Sequence, residues 1–310
     1  MRRRTALGVL VLLVLAACGR PVPPKVPDHP PGRADDAVVV ASFDFAESAI
    51  LGELYALALE GAGVPVRREL LLGPRELVAP ALEQGQVDVV PEYLGTALDH
   101  FGRGQFQPST EAATRERLAE ALAPRGVRLL EPARAEDKNT LVVARGTALV
   151  YGLETTSDLA DVASAFRFGG PPECPDREFC LVGLEDVYKL EFREFVPLDS
   201  GGPLTVEALD ATDDQRRIDV GLLFSTDPHL VGPKYVELED DRGLQPAENV
   251  VPAVRAAVLD RWGADLRDPL NAVSAALTTE ELRELNRQVV LLGRTPRRAA
   301  RTWLAQLASA

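Results

Sequence analysis

Residues 87–96 read VDVVPEYLGT. Val87 to Val90 is a short apolar run of the kind that forms a buried strand, and Pro91 reads as its end. Glu92, Tyr93, Gly95 and Thr96 follow as a polar turn, and Ala97 to Phe101 reads as the start of a helix. A tyrosine at the carboxyl end of a buried strand stands where α/β chains keep their ligands. Taken alone, Tyr93 fits a core residue closing a strand equally well.

Upstream of that stretch the pattern alternates. Val38 to Ser42 is a strand-like run, and ESAILGELYALALEGAG carries Ile50, Leu51, Leu54, Leu57 and Ala58 on one helical face. Asp44 and Glu47 read as a capping box before it, and Gly61 and Gly63 as its stop. Val66 to Leu72 is a second strand and GPRELVAPALEQG a second helix. A βαβαβ start means a parallel sheet covered by helices. A helix from Glu111 to Ala123 and a strand from Val127 to Leu130 follow.

Alternation restarts at LVVARG, near Leu141 to Ala144, and runs to an edge strand in KYVELED. The last segments, VVPAVRAAVLDRW, NAVSAALTTEELRELNRQVVL and TPRRAARTWLAQLA, read as helices. About 270 ordered residues exceed what one core usually holds. The expectation is two α/β lobes with a ligand cleft between them. Residues 37–142 plus 246–310 make one lobe and 143–245 the other, with crossovers near Leu141–Ala144 and Pro246–Val251.

The amino terminus reads MRRRTALGVLVLLVLAACGRP. Arg2 to Arg4 and the apolar stretch from Ala6 to Leu15 are too short to span a bilayer and read as a signal peptide over residues 1–17. LAAC is similar to a bacterial lipobox, which implies lipidation of Cys18 and an anchor on the extracytoplasmic face of the membrane. Residues 18–36 are proline-rich and read as a tether. Loss of Arg2, Arg3 and Arg4 with the leader takes the formal charge from -13 to -16. So acidic a chain is a poor partner for nucleic acid or for a flat anionic lipid surface.

Cys174 and Cys180 in ECPDREFC suit a local disulfide in an exported protein, with a metal pair as the rival reading. No nucleophile-and-base motif or phosphate loop is present, and His29, His100 and His229 are scattered. No catalytic residue, metal or cofactor is assigned, and an acidic exported hydrolase stays open at this point.

ASFDFAESAILGELYALALE, LLLGPRELVAPALEQGQVDVVPEYLGTAL, IDVGLLFSTD and LTTEELRELN together resemble the substrate-binding proteins of osmoprotectant ABC importers, those for glycine betaine, choline and carnitine. The resemblance runs from Val38 to Leu307. It implies the type II periplasmic-binding-protein fold, two lobes joined by two crossovers, acting as a monomer that passes a small-molecule solute to membrane permease subunits. It also implies that Tyr93 and Phe224 are faces of an aromatic box around a trimethylammonium group, which has no hydrogen to donate and is held by ring faces. Arg177 takes the place of an arginine that grips the ligand carboxylate. Ser42, Phe43, Asp44, Thr96, Ser225 and Thr226 stand at the other matched motif positions.

Two departures stand out. Leu141 and Glu248 occupy places where relatives carry box tyrosines. The box is therefore expected to be reduced, and the solute to be a larger amphoteric molecule rather than glycine betaine. A receptor of this fold for a larger aromatic or polar solute and an exported hydrolase reusing the fold are the competing readings.

Overall fold

A computed structural model describes residues 37–102, 110–213 and 215–309. The leader, the lipobox at Cys18 and the tether lie outside them. Among the described residues ten strands form two five-stranded sheets. The first holds β1 (Val38–Phe43), β2 (Val66–Gly73), β3 (Val89–Tyr93), β4 (Val127–Leu129) and β10 (Val250–Arg255), in the order β2-β1-β3-β10-β4. The second holds β5 (Asn139–Ala144), β6 (Arg167–Gly170), β7 (Glu194–Pro197), β8 (Val220–Phe224) and β9 (Tyr235–Leu238), in the order β7-β6-β8-β5-β9.

The two orders are the same pattern. In each sheet three strands run parallel, and the fourth in the row, β10 or β5, lies antiparallel to both its neighbours. β5 and β10 are the strands by which the chain enters each lobe from the other. The two passages run side by side, tied by the Asp137 amide donating to the Glu248 carbonyl at 3.1 Å and by a bridge between Glu136 and Asn249. Leu141 therefore lies inside β5, and Val250 and Val251 inside β10.

Helices α1 (Ala46–Gly61), α2 (Arg75–Glu83), α3 (Leu94–Gly102) and α4 (Glu111–Leu122) follow the expected alternation. β1 is buried along its whole length, as a strand covered on both faces must be. One core lies in the first lobe, with Val39, Ile50, Leu54, Val90 and Leu118 fully enclosed. Two smaller clusters line the faces of the second sheet, around Phe168 and around Leu223. Helix Pro296–Leu307 returns to the first lobe, where Trp303 joins the core.

Three local expectations are corrected. β3 does not stop at Pro91 but continues to Tyr93, and α3 begins at the next residue, with no intervening turn. Pro91 faces Pro252 of β10 across an antiparallel pair, a register in which neither owes the other an amide donor. Residues 250–255, read as helical, form the strand β10, because Val250, Val251 and Val254 are buried between β3 and β4. The Asp44–Glu47 capping box is absent. α1 has no side-chain cap, since Glu47 is buried and bonded elsewhere.

Candidate functional site

The carboxyl ends of the parallel strands of both sheets point at one space, where open α/β sheets place ligands. From the first lobe come Phe43, Asp44 and Phe45 after β1, Arg75 after β2, and Tyr93 and Thr96 after β3. From the second come Cys174 and Arg177 after β6, Ser200 after β7 and Phe224 ending β8. The passages add Asp137, Asn139 and Glu248. They enclose a cavity of about 110 Å³.

Aromatic rings form much of the wall: Phe43, Phe45, Tyr93, Phe179 and Phe224. Phe45 is central among them, with centroids 6.2 Å from Phe43, 6.1 Å from Tyr93 and 5.3 Å from Phe224. The last contact joins the two lobes. Loop residue Gly201, at φ +59°, lies against the Phe224 ring, and a Cβ there would come within 2.7 Å of it.

Arg75 is buried at the base of α2. Its Nη2 donates to Glu92 Oε2 and to Thr96 Oγ1, both at 2.9 Å, and Nε donates to Glu92 Oε2 at 3.1 Å. Its guanidinium carbon stands 5.2 Å from the Phe43 centroid. Glu248 accepts the amides of Gly95 at 3.0 Å and Thr96 at 2.9 Å, a carboxylate closing the amino end of α3 from the far passage. Burial pushes its carboxyl up to about 8, against the pull of Arg75 and of those amides. Gly95 permits the approach, because a Cβ there would meet Pro246 at 2.2 Å.

Beneath the rings lies a second polar cluster. Tyr93 Oη donates to Glu47 Oε1 at 2.8 Å, and Asn286 Nδ2 to Glu47 Oε2 at 2.6 Å. Thr226 Oγ1 lies 2.5 Å from Glu47 Oε2 and 2.8 Å from Asp137 Oδ1. A threonine hydroxyl has one proton. Two oxygen–oxygen contacts need two, so one of the two carboxyls supplies the other and is neutral. Burial pushes both acids up; Glu47 raises Asp137 further, whereas the hydrogen bonds of Thr226, Asn286, Tyr93 and Asp137 pull Glu47 back. The cluster ties α1, the first passage, the loop after β8 and helix Thr279–Asn286 together.

The structure brings Tyr93, Phe224, Phe43, Asp44, Thr96, Arg177 and Glu248 to one wall. Others stand outside it. Ser42 is buried, its hydroxyl accepting the Leu71 amide and donating to the Phe43 carbonyl. Ser225 accepts the Lys138 amide, and Thr226 belongs to the cluster beneath. Leu141 is buried in the second lobe, in β5 between Leu222 and Leu238, and does not line the cavity. Arg177 lines the cavity but already has a partner, its Nη2 donating to Glu76 Oε1 across the lobes at 2.7 Å. Cys174 and Cys180 are bridged, closing the loop that carries it.

Arg75, Phe45, Phe179, Asp137 and Asn139 escaped the sequence reading. Arg75 finds its partners 17 and 21 residues away, and nothing local marks it. Phe45 had a signal, the F-D-F spacing that puts Phe43 and Phe45 on the same side of the strand end.

A two-lobed α/β molecule with a ring-walled, charged cavity where its strands converge is a solute-binding receptor. The family described as the substrate binding domain of ABC-type glycine betaine transport systems matches residues 36–306, and the chain belongs to it. It is a binding protein, not an enzyme. It is 26% identical over 283 residues to the glycine betaine-binding protein YehZ of Escherichia coli K12, covering 89% of this chain and 92% of that one. The apo YehZ structure superposes with a TM-score of 0.61 at 25% identity, over 88% and 99% of the two chains. The chain is also 26% identical over 306 residues, 98% of its length, to the Helicobacter pylori G27 ergothioneine transport permease/ergothioneine binding protein EgtU. It spans about half of that relative, 52%. The glycine betaine complex of lactococcal OpuAC shares the fold, with a TM-score of 0.64 at 17% identity over 89% and 97%.

Proposed function

We propose that this chain is the extracytoplasmic receptor of an osmolyte importer, anchored through lipidated Cys18, which delivers a quaternary-ammonium or related amphoteric solute to permease subunits as a monomer. The observation that carries the reading is the ring wall of Phe43, Phe45, Tyr93, Phe179 and Phe224 beside acidic groups. A methylated ammonium cannot donate hydrogen bonds and is favoured by ring faces at roughly 0.5 to 2 kcal/mol each. The Asp44 carboxyl lines the same space and suits a positive head group, while burial holds Asp137 and Glu248 toward their neutral forms.

Arg177 and Arg75 are the candidates to face an anionic end. The test is a thermal-shift screen of glycine betaine, choline, carnitine, proline betaine and ergothioneine with the mature protein. A binder at a hundred times its Kd stabilises the fold by about 2.7 kcal/mol. A rise in melting temperature with one or more of these supports the reading, and none with any of them refutes it. Cys18→Ala should move the protein out of the membrane fraction.

A further inference from the structure

Asp99 sits on α3 one turn beyond Thr96 and lines the same cavity. Its Oδ1 is buried and has no hydrogen-bond partner among the described residues. The other carboxyls of the wall differ from it, Glu173 among them, which lies 3.8 Å from Arg177. Glu248 is engaged by two backbone amides and Asp137 by Thr226. Asp44 is exposed to water. The cations that act on Asp99, Arg177 and Arg75, are already paired with Glu76 and with Glu92. A buried acceptor left unmet lowers the stability of the closed site severalfold or more, and a ligand donor that meets it recovers that factor.

We propose that Asp99 is a specificity residue, accepting a hydrogen bond from an O–H or N–H group of the solute. The inference rests on the reading of this cavity as a site for methylated-ammonium solutes and sharpens it. The preferred solute joins a ring-bound cationic head to a hydrogen-bond donor. Glycine betaine has no donor when its carboxylate is ionised, so the site ranks it below such solutes.

Glycine betaine, carnitine and ergothioneine provide the test. All three are zwitterions of zero net charge, and only the latter two carry a donor, a hydroxyl in one and a ring N–H in the other. Their comparison therefore cancels the charge of Asp99. Calorimetric titration of the wild type should show carnitine, ergothioneine or both binding at least tenfold more tightly than glycine betaine. In Asp99→Ala the ratio of the better binder's affinity to that of glycine betaine should fall about tenfold or more, the worth of a hydrogen bond to a charged acceptor. Asp99→Asn, which keeps a carbonyl acceptor and the side-chain size, should lose less of the ratio, and its thermal unfolding should match the wild type.

Glycine betaine binding as tightly as the other two overturns the inference while leaving the osmolyte reading in place. So does an affinity ratio unchanged in Asp99→Ala. Binding of none of the three overturns the inference, and if choline and proline betaine fail as well the osmolyte reading falls with it.

Discussion

Phe45 touches the rings of Phe43, Tyr93 and Phe224, so it does more to shape the cavity than the two aromatics its motif neighbours made conspicuous. Phe45→Ala and Tyr93→Ala should each cost about 1 to 2 kcal/mol of solute affinity, read by calorimetry. Tyr93 also donates to Glu47, and burial, together with the acidic pair of Glu47 and Asp137, holds its phenol protonated. Leu141→Tyr, by contrast, forces a ring into the packed second lobe. It should lower stability by about 1 to 3 kcal/mol in urea unfolding and bring no gain in affinity. Glu248 gives the sharpest pH signature. Its carboxyl rises from 4.5 to about 8 on folding, so between those values the folded chain keeps a proton that the unfolded chain has released. Its contribution to stability therefore declines as pH climbs through that window. Glu248→Gln does not titrate. Thermal unfolding at pH 5 and pH 8 should show the wild type losing stability relative to the variant as pH rises, whereas a constant difference would contradict the assigned burial. Tyr93 and Phe224 were legible because each ends a strand inside a compact motif. Arg75 and Asp137 were not, since their environment comes from residues that only the fold brings near.

The element that depends most on one residue is α3. Its amino end is closed by Glu248 from the opposite passage, and that passage lies against Gly95. Gly95→Ala puts a methyl 2.2 Å from Pro246, which cannot be relieved by rotating a flexible side chain. The expected result is a loss of about 1 to 3 kcal/mol in urea unfolding together with weaker solute binding, because Thr96 and Glu248 move with the helix. Unchanged stability and affinity would show that the passage is not held here. Much of the element order could be read in advance, since α1, α2 and the first two strands announce themselves by period. The misread elements share a cause. Pro91 and the Val250–Arg255 run belong to β3 and β10, which pair with each other across more than 150 residues of intervening chain, as the Gly95–Glu248 contact reflects. Local pattern carries no information about such a partner, and the valine run passes into helix Ala256–Trp262 without a break.

Across the whole molecule, contacts between lobes converge on the cavity. Phe45 meets Phe224, Glu76 meets Arg177, and Glu47 meets Thr226. Each pairs a first-lobe residue with one from the second, so a solute enclosed there is gripped by groups that separate if the lobes part. On the proposed function the head group lies against the rings and the rest of the solute against the polar groups of both lobes. A crystal structure of the mature protein with the tightest solute from the screen tests this most directly. The account predicts the methylated nitrogen within about 6 Å of the centroids of Phe45, Tyr93 and Phe224, the range of a cation–π contact. A solute bound outside this cavity, or lying in it with its ammonium group away from those rings, would contradict it.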